Sequence, residues 1–172
     1  WINLYKPKNI TSFKAINFVK KKFSIKKIGH AGTLDPMAEG VLPIAIGKAT
    51  KLIPYISKIN KEYEFTVTWG TQTSTDDSEG DILFESEYLP QKEELENTIK
   101  NYLGHTNQTP PKVSAVKING KRAYKLYRDK EFFKIKPKKV FVENLTIINH
   151  SISKTSFKIL CGKGFYVRSL AR

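Results

Sequence analysis

The period of apolar positions changes repeatedly along the chain, and each change predicts an element. Residues 1–5 form a short apolar run that reads as a strand, broken at Lys6-Pro7. Thr11 or Ser12 then offers an N-cap, and Phe13, Ile16, Val19 and Phe23 follow at helical spacing. Lys14, Lys20, Lys21 and Lys22 fall mostly off that face, so the pattern is an amphipathic helix with a basic exterior. Residues 41–46 are an apolar run of the kind that makes a buried strand, and Leu52, Tyr55, Ile56 and Ile59 predict a short helix. Tyr63, Phe65, Val67 and Trp69 alternate with Glu64, Thr66 and Thr68, which predicts a half-buried strand. Residues 82–84 read as a further strand. Pro90 opens a helix that carries Leu95, Ile99 and Leu103 and ends at Gly104. A strand over 113–118 leads into the turn signal Asn119-Gly120. Strands over 140–148 and 157–161 follow, and a helix starts within 165–170 after Gly162-Lys163-Gly164.

Strands alternating with helices place the chain in the α/β (α+β) class. The least ordinary stretch is residues 29–40, where three glycines and a proline exclude a continuing helix or regular strand. Pro36 pushes Asp35 toward an extended conformation. A carboxylate on a stiff loop is how a positioned catalytic group reads in sequence, although a lone Asp-Pro is more often a surface turn. Lys20–Lys22 read first as a solvated face, and their position shortly before this loop also makes them candidates for phosphate contact. Gly40 and Gly47-Lys48-Ala49 miss the spacing of a phosphate-binding P-loop. The acidic stretch 70–81 fails as a calcium loop and reads as solvated, though it runs against the charge of the chain. Residues 107–137 are polar and mix Lys121, Arg122, Lys125 and Arg128 with Tyr124 and Tyr127, so they read as an insertion projecting from the core. Cations for phosphates and rings for bases suit an RNA surface.

Composition sharpens this. Thirty Lys+Arg against sixteen Asp+Glu leave a net charge of +14 in 172 residues, a physical reason to expect a polyanionic partner. One cysteine, Cys161, excludes an internal disulfide and fits a reducing compartment. No run reaches the ~18 apolar residues of a membrane helix. His30, His105 and His150 are far apart, and no spacing resembles a metal site. The first residue is Trp1 and the last ones read as helix, so both ends look truncated.

Residues 29–40, followed by Val41-Leu42-Pro43-Ile44 and Gly47-Lys48-Ala49-Thr50-Lys51, resemble the signature of the TruB family of tRNA pseudouridine synthases. Four further stretches, in the same order, resemble that family: Lys6-Pro7 with Thr11-Ser12, Lys61-Glu62-Tyr63, residues 73–80, and residues 161–170. Pro110-Pro111, Ser114-Ala115, Lys117, Gly120-Lys121-Arg122 and Tyr124 resemble its inserted RNA-gripping segment. Asn9, Gly162 and Phe165 depart from the family pattern at positions without expected chemistry. The resemblance implies a pseudouridine synthase fold, a mixed, largely antiparallel sheet flanked by helices. It makes residues 1–172 the catalytic domain, with a C-terminal RNA-binding (PUA-like) domain expected but outside the chain. It implies isomerisation of uridine-55 in the T-arm of tRNA by base flipping, glycosidic cleavage and C–C religation, in the cytoplasm. No cofactor, metal or guide RNA is expected, no membrane partner, and a monomer. Asp35 would be the catalytic residue and Arg168 its charge partner. Tyr63 would stack on the flipped base, Tyr166 would line the pocket, and His30 would fill the gap the base leaves.

Overall fold

The computed structural model describes residues 1–172. They divide into two units, Trp1–Ile59 and Asn60–Arg172.

The first unit opens with β1 (Ile2–Lys6), α1 (Ser12–Lys22), β2 (Ile28–His30) and β3 (Gly40–Ile46). A 3-10 helix (Gly47–Leu52) and α2 (Ile53–Ile56) close it. β3 lies between β1 and β2, antiparallel to both, with Leu4 opposite Leu42 and His30 opposite Ile44. Leu42 and Ile44 are fully buried under Ala15, Ile16 and Val19 of α1. Each such aliphatic contributes roughly 1.5–3 kcal/mol by leaving water. The helix does not use the face that its aromatics mark. Ser12, Ala15, Ile16 and Val19 are buried, whereas Phe13 and Phe23 are 70% and 62% exposed. Ser12 and Ala15 continue the Ile16–Val19 stripe at i, i+3/i+4 spacing, and their small size lets the helix approach the sheet. Phe13 lies a further 100° around the helix. β2 is also new: three residues containing a glycine are too short to show a period, so His30 ends a strand instead of lying in a loop.

The second unit contains β4 (Lys61–Thr68), β5 (Thr71–Thr73), β6 (Ile82–Glu85), α3 (Lys92–Lys100) and β7 (Gly104–Gln108). β8 (Lys117–Ile118), β9 (Lys121–Arg122), α4 (Ala123–Arg128), β10 (Lys138–Ser151), β11 (Lys154–Cys161) and α5 (Val167–Ala171) follow. Its main sheet has the order β4-β11-β10-β7, all antiparallel, and buries Val67, Val142, Leu145, Phe157, Ile159 and Cys161. Register shifts in β10 beyond Val142 and Ile147 change which positions face the core. Val140 and Val142 are buried before the first shift, and Leu145 after it. The strand expected over 113–118 shrinks to β8, paired with β9 across Asn119 and Gly120, which both have positive φ (48° and 83°). β7 escaped the sequence reading because Gly104–Gln108 is wholly polar apart from its glycine, as an edge strand can be. α4, also unforeseen, anchors the basic segment through buried Ala123 and Leu126.

Candidate active site

In the first unit the loop 31–39 is fastened to the segment 5–12 at nearly every residue beside Asp35. Ser12 Oγ donates to the Leu34 carbonyl at 2.9 Å and accepts from the Leu34 N–H at 3.0 Å, so one buried hydroxyl holds both polar groups of the preceding residue. On the other side the Pro36 carbonyl accepts from Asn9 N–H at 2.8 Å and from Lys6 Nζ at 3.2 Å. Asn9 reaches this position in the left-handed region, at φ 65°. Ala38 N–H closes a turn onto the Asp35 carbonyl at 3.1 Å. Glu39 ends the loop by accepting from the Tyr5 hydroxyl and pairing with Lys8 at 3.3 Å. These two partners, the Tyr5 hydroxyl first, hold its carboxyl below the usual range. Asp35 is therefore a half-buried carboxylate on a backbone bonded on both flanks.

Lys6 is the residue that the sequence flagged only as part of Lys6-Pro7. Its side chain is fully buried, and Nζ also donates to the carbonyls of Ile10 at 2.8 Å and Pro7 at 2.9 Å. Burial lowers its pKa, while the charges of Asp35 and Glu39 oppose that shift. His30 leaves β2 at the entrance of the loop, and its Nδ1 donates to the Gly32 carbonyl, which orients the ring.

In the second unit Tyr63 lies on β4 opposite Ile159, half-buried against the core. α5 packs against β4 and carries the other two candidates. Tyr166 caps α5, and its backbone is gripped by Gln108. Tyr166 N–H donates to Gln108 Oε1 at 2.8 Å, and Gln108 Nε2 donates to the Tyr166 carbonyl at 3.0 Å. Arg168 stands in the first turn, its side chain only 11% exposed. Nη1 donates to the Thr75 carbonyl at 2.9 Å and lies 3.3 Å from Asp77 Oδ2, and Nη2 donates to the Val113 carbonyl at 3.1 Å.

The loop 74–81 is thus a built support, contrary to the solvated reading of the sequence. Asp77 Oδ1 accepts from Thr75 Oγ1 at 2.5 Å and from Glu79 N–H at 3.0 Å, while Oδ2 faces Arg168. Asp76 pairs with Arg172 at 2.9 Å. Burial raises its pKa, against the pull of Arg172 and Arg168. The signal available in sequence was the acidity of this stretch in a basic chain. No group of three His, Cys, Asp or Glu side chains has the geometry to hold a metal ion.

The structure thus groups His30 with Asp35 in one unit, and Tyr63, Tyr166 and Arg168 in the other. A family model described as TruB family pseudouridylate synthase (N terminal domain) matches residues 20–167. Similar curated proteins include tRNA pseudouridine synthase B of Ehrlichia chaffeensis, 49% identical over 174 residues, covering all of this chain and 59% of that protein. Those of Wolbachia pipientis and Agrobacterium fabrum are 48% and 47% identical, again over the whole chain, and 49% and 55% of their own lengths. The chain therefore spans about half to three-fifths of the curated relatives it matches. Among solved structures, an H/ACA RNP bound to a substrate RNA containing 2'-deoxyuridine shares the fold, with a TM-score of 0.69 and 22% identity over 99% of this chain and 40% of that one. A Cbf5-Nop10-Gar1 complex matches with a TM-score of 0.66 and 25% identity, over 99% and 41%.

Proposed function

The chain belongs to the TruB family of pseudouridylate synthases, and from that premise we propose that it converts uridine-55 in the T-arm of tRNA to pseudouridine. In this reaction the N1–C1′ bond of the uridine breaks, the detached base turns, and a C5–C1′ bond forms. A proton leaves C5 and one is gained at N1. Nothing is oxidised or reduced, so the isomerisation calls for no redox cofactor. Asp35 acts at the reacting nucleotide as nucleophile or base. Arg168 pairs with it and keeps it charged and aimed. The flipped base stacks on Tyr63 beside Tyr166, and His30 occupies the place it vacates, which offsets part of the unstacking cost.

The observation that carries this reading is the fastening of the Asp35 loop: Leu34 by Ser12, and Pro36 by Asn9 and Lys6. An acid needed only for solubility gains nothing from a backbone bonded on both sides, whereas a catalytic carboxylate depends on it. The relatives that share close to half of the residues carry the name tRNA pseudouridine synthase B, which supports tRNA as substrate.

The test uses an unmodified tRNA transcript with EDTA and no guide RNA, with pseudouridine mapped at nucleotide resolution. Wild type is expected to modify one uridine in the T-loop. Asp35→Asn is expected to lose this by about 10³-fold or more while still binding the tRNA. Conversion undiminished in Asp35→Asn would overturn the assignment of Asp35. Conversion that needs an added guide RNA would overturn the stand-alone reading.

A further inference from the structure

Lys20, Lys21 and Lys22 precede Asp35 by only thirteen to fifteen residues, yet the fold sends them away from its loop. α1 begins at the loop, where Ser12 holds Leu34, and its eleven residues carry the chain about 16 Å off. β3 leaves the loop at Gly40 and ends at Ile46, about 20 Å further along. Three segments meet at that distant end. Ile25 N–H bonds to the Lys20 carbonyl at 2.9 Å, joining the last turn of α1 to the link 23–27. Gly47 N–H bonds to the Lys27 carbonyl at 2.9 Å, joining that link to the end of β3. Lys20, Lys21, Lys22, Lys26, Lys27 and Lys48 are therefore gathered at one pole, all exposed. The unit Trp1–Ile59 has eleven lysines and two acids, and both acids, Asp35 and Glu39, lie on the loop at its other end. No acid of this unit therefore stands among these lysines. Lys22 Nζ sits 5.8 Å and 5.9 Å from the ring centres of Phe18 and Phe23, both more than 60% exposed, so aromatic faces stand among the charges.

We propose that this pole is a second RNA-binding surface, which holds phosphates and unstacked bases of the substrate RNA outside the T-arm segment that enters the Asp35 loop. The inference rests on the reading of the substrate as tRNA. Concentrated lysines release counterions from phosphates, and exposed rings beside them accept bases without regard to sequence. RNA is favoured over an anionic bilayer because α1 uses its apolar face on the sheet and leaves no apolar stripe to enter lipid.

The test replaces four exposed lysines together, Lys20→Gln, Lys21→Gln, Lys26→Gln and Lys27→Gln. Binding is measured against salt for whole tRNA and for an isolated T-arm hairpin, with conversion followed in the same samples. For whole tRNA the affinity should weaken about tenfold at physiological salt, and the log–log salt slope should become shallower by about 2 to 3. Hairpin binding, conversion at saturating RNA and thermal stability should be unchanged. An unaltered tRNA affinity and slope would show a merely solvated face and overturn the proposal. Equal weakening for the hairpin would also overturn it, by assigning the lysines to the T-arm contact. So would unchanged tRNA binding with loss of binding to phosphatidylserine vesicles. If wild type binds but converts nothing while the pole effect remains, the reaction assignment fails and the second surface stands.

Discussion

Ser12 is the smallest side chain that decides the geometry at Asp35. Its hydroxyl spans both backbone groups of Leu34, and no second polar side chain is seen to replace it there. Ser12→Ala is expected to lower stability by about 1–3 kcal/mol, because a partly buried N–H and C=O lose their partner. Conversion should fall in kcat by about tenfold with KM nearly unchanged, since the loop loosens without losing an RNA contact. Urea unfolding beside single-turnover kinetics checks this, and unchanged kcat in a destabilised variant would show that the clamp does not position Asp35. That Asp35 stands on an irregular loop was legible in sequence, because glycine and proline density marks such a loop. Lys6 was legible only as a motif member. Its burial, and the three carbonyls around its ammonium, depend on residues up to thirty positions away.

Among the elements, the acidic loop 74–81 shows a glycine required by packing. A Cβ on Gly80 would lie 2.7 Å from the Thr75 backbone nitrogen and 2.8 Å from Ser74 Oγ, nearer than real Cβ atoms come. Gly80→Ala therefore has to displace the segment whose Thr75 carbonyl and Asp77 carboxylate hold Arg168. It is expected to cost roughly 1–3 kcal/mol and to reduce conversion, whereas Glu79→Ala, one residue earlier and exposed, should do neither. Thermal melts of the two variants provide the check. α1 was legible as a helix because its period is local. Its buried face was misread because large apolar residues were counted and small ones were not, although close helix–sheet approach favours Ser12 and Ala15.

The stability of the whole molecule in alkali follows from groups that folding buries. Cys161 is fully buried, and desolvation raises its thiol pKa from 9.0 to about 11. Between those values the unfolded chain has released the proton and the native chain retains it, so stability falls as pH rises through this window. At 1.36 kcal/mol per pKa unit the loss amounts to roughly 2–3 kcal/mol. Lys6, shifted down by burial, works in the opposite sense up to its ordinary value. The difference in unfolding free energy between wild type and Cys161→Ala, followed from pH 8 to 11, isolates the thiol and should shrink across that range. A difference independent of pH would show that the thiol titrates normally. What the sequence determined by itself is the α/β class, most strands and helices, and the family, since all rest on local period, turn chemistry and ordered motifs. The tertiary structure alone decided that Asp77 faces Arg168, that Lys6 is buried beneath the Asp35 loop, and that Lys20–Lys22 stand at the pole farthest from it. Each depends on hydrogen bonds and register between segments remote in the chain, and residue order carries no direct trace of those.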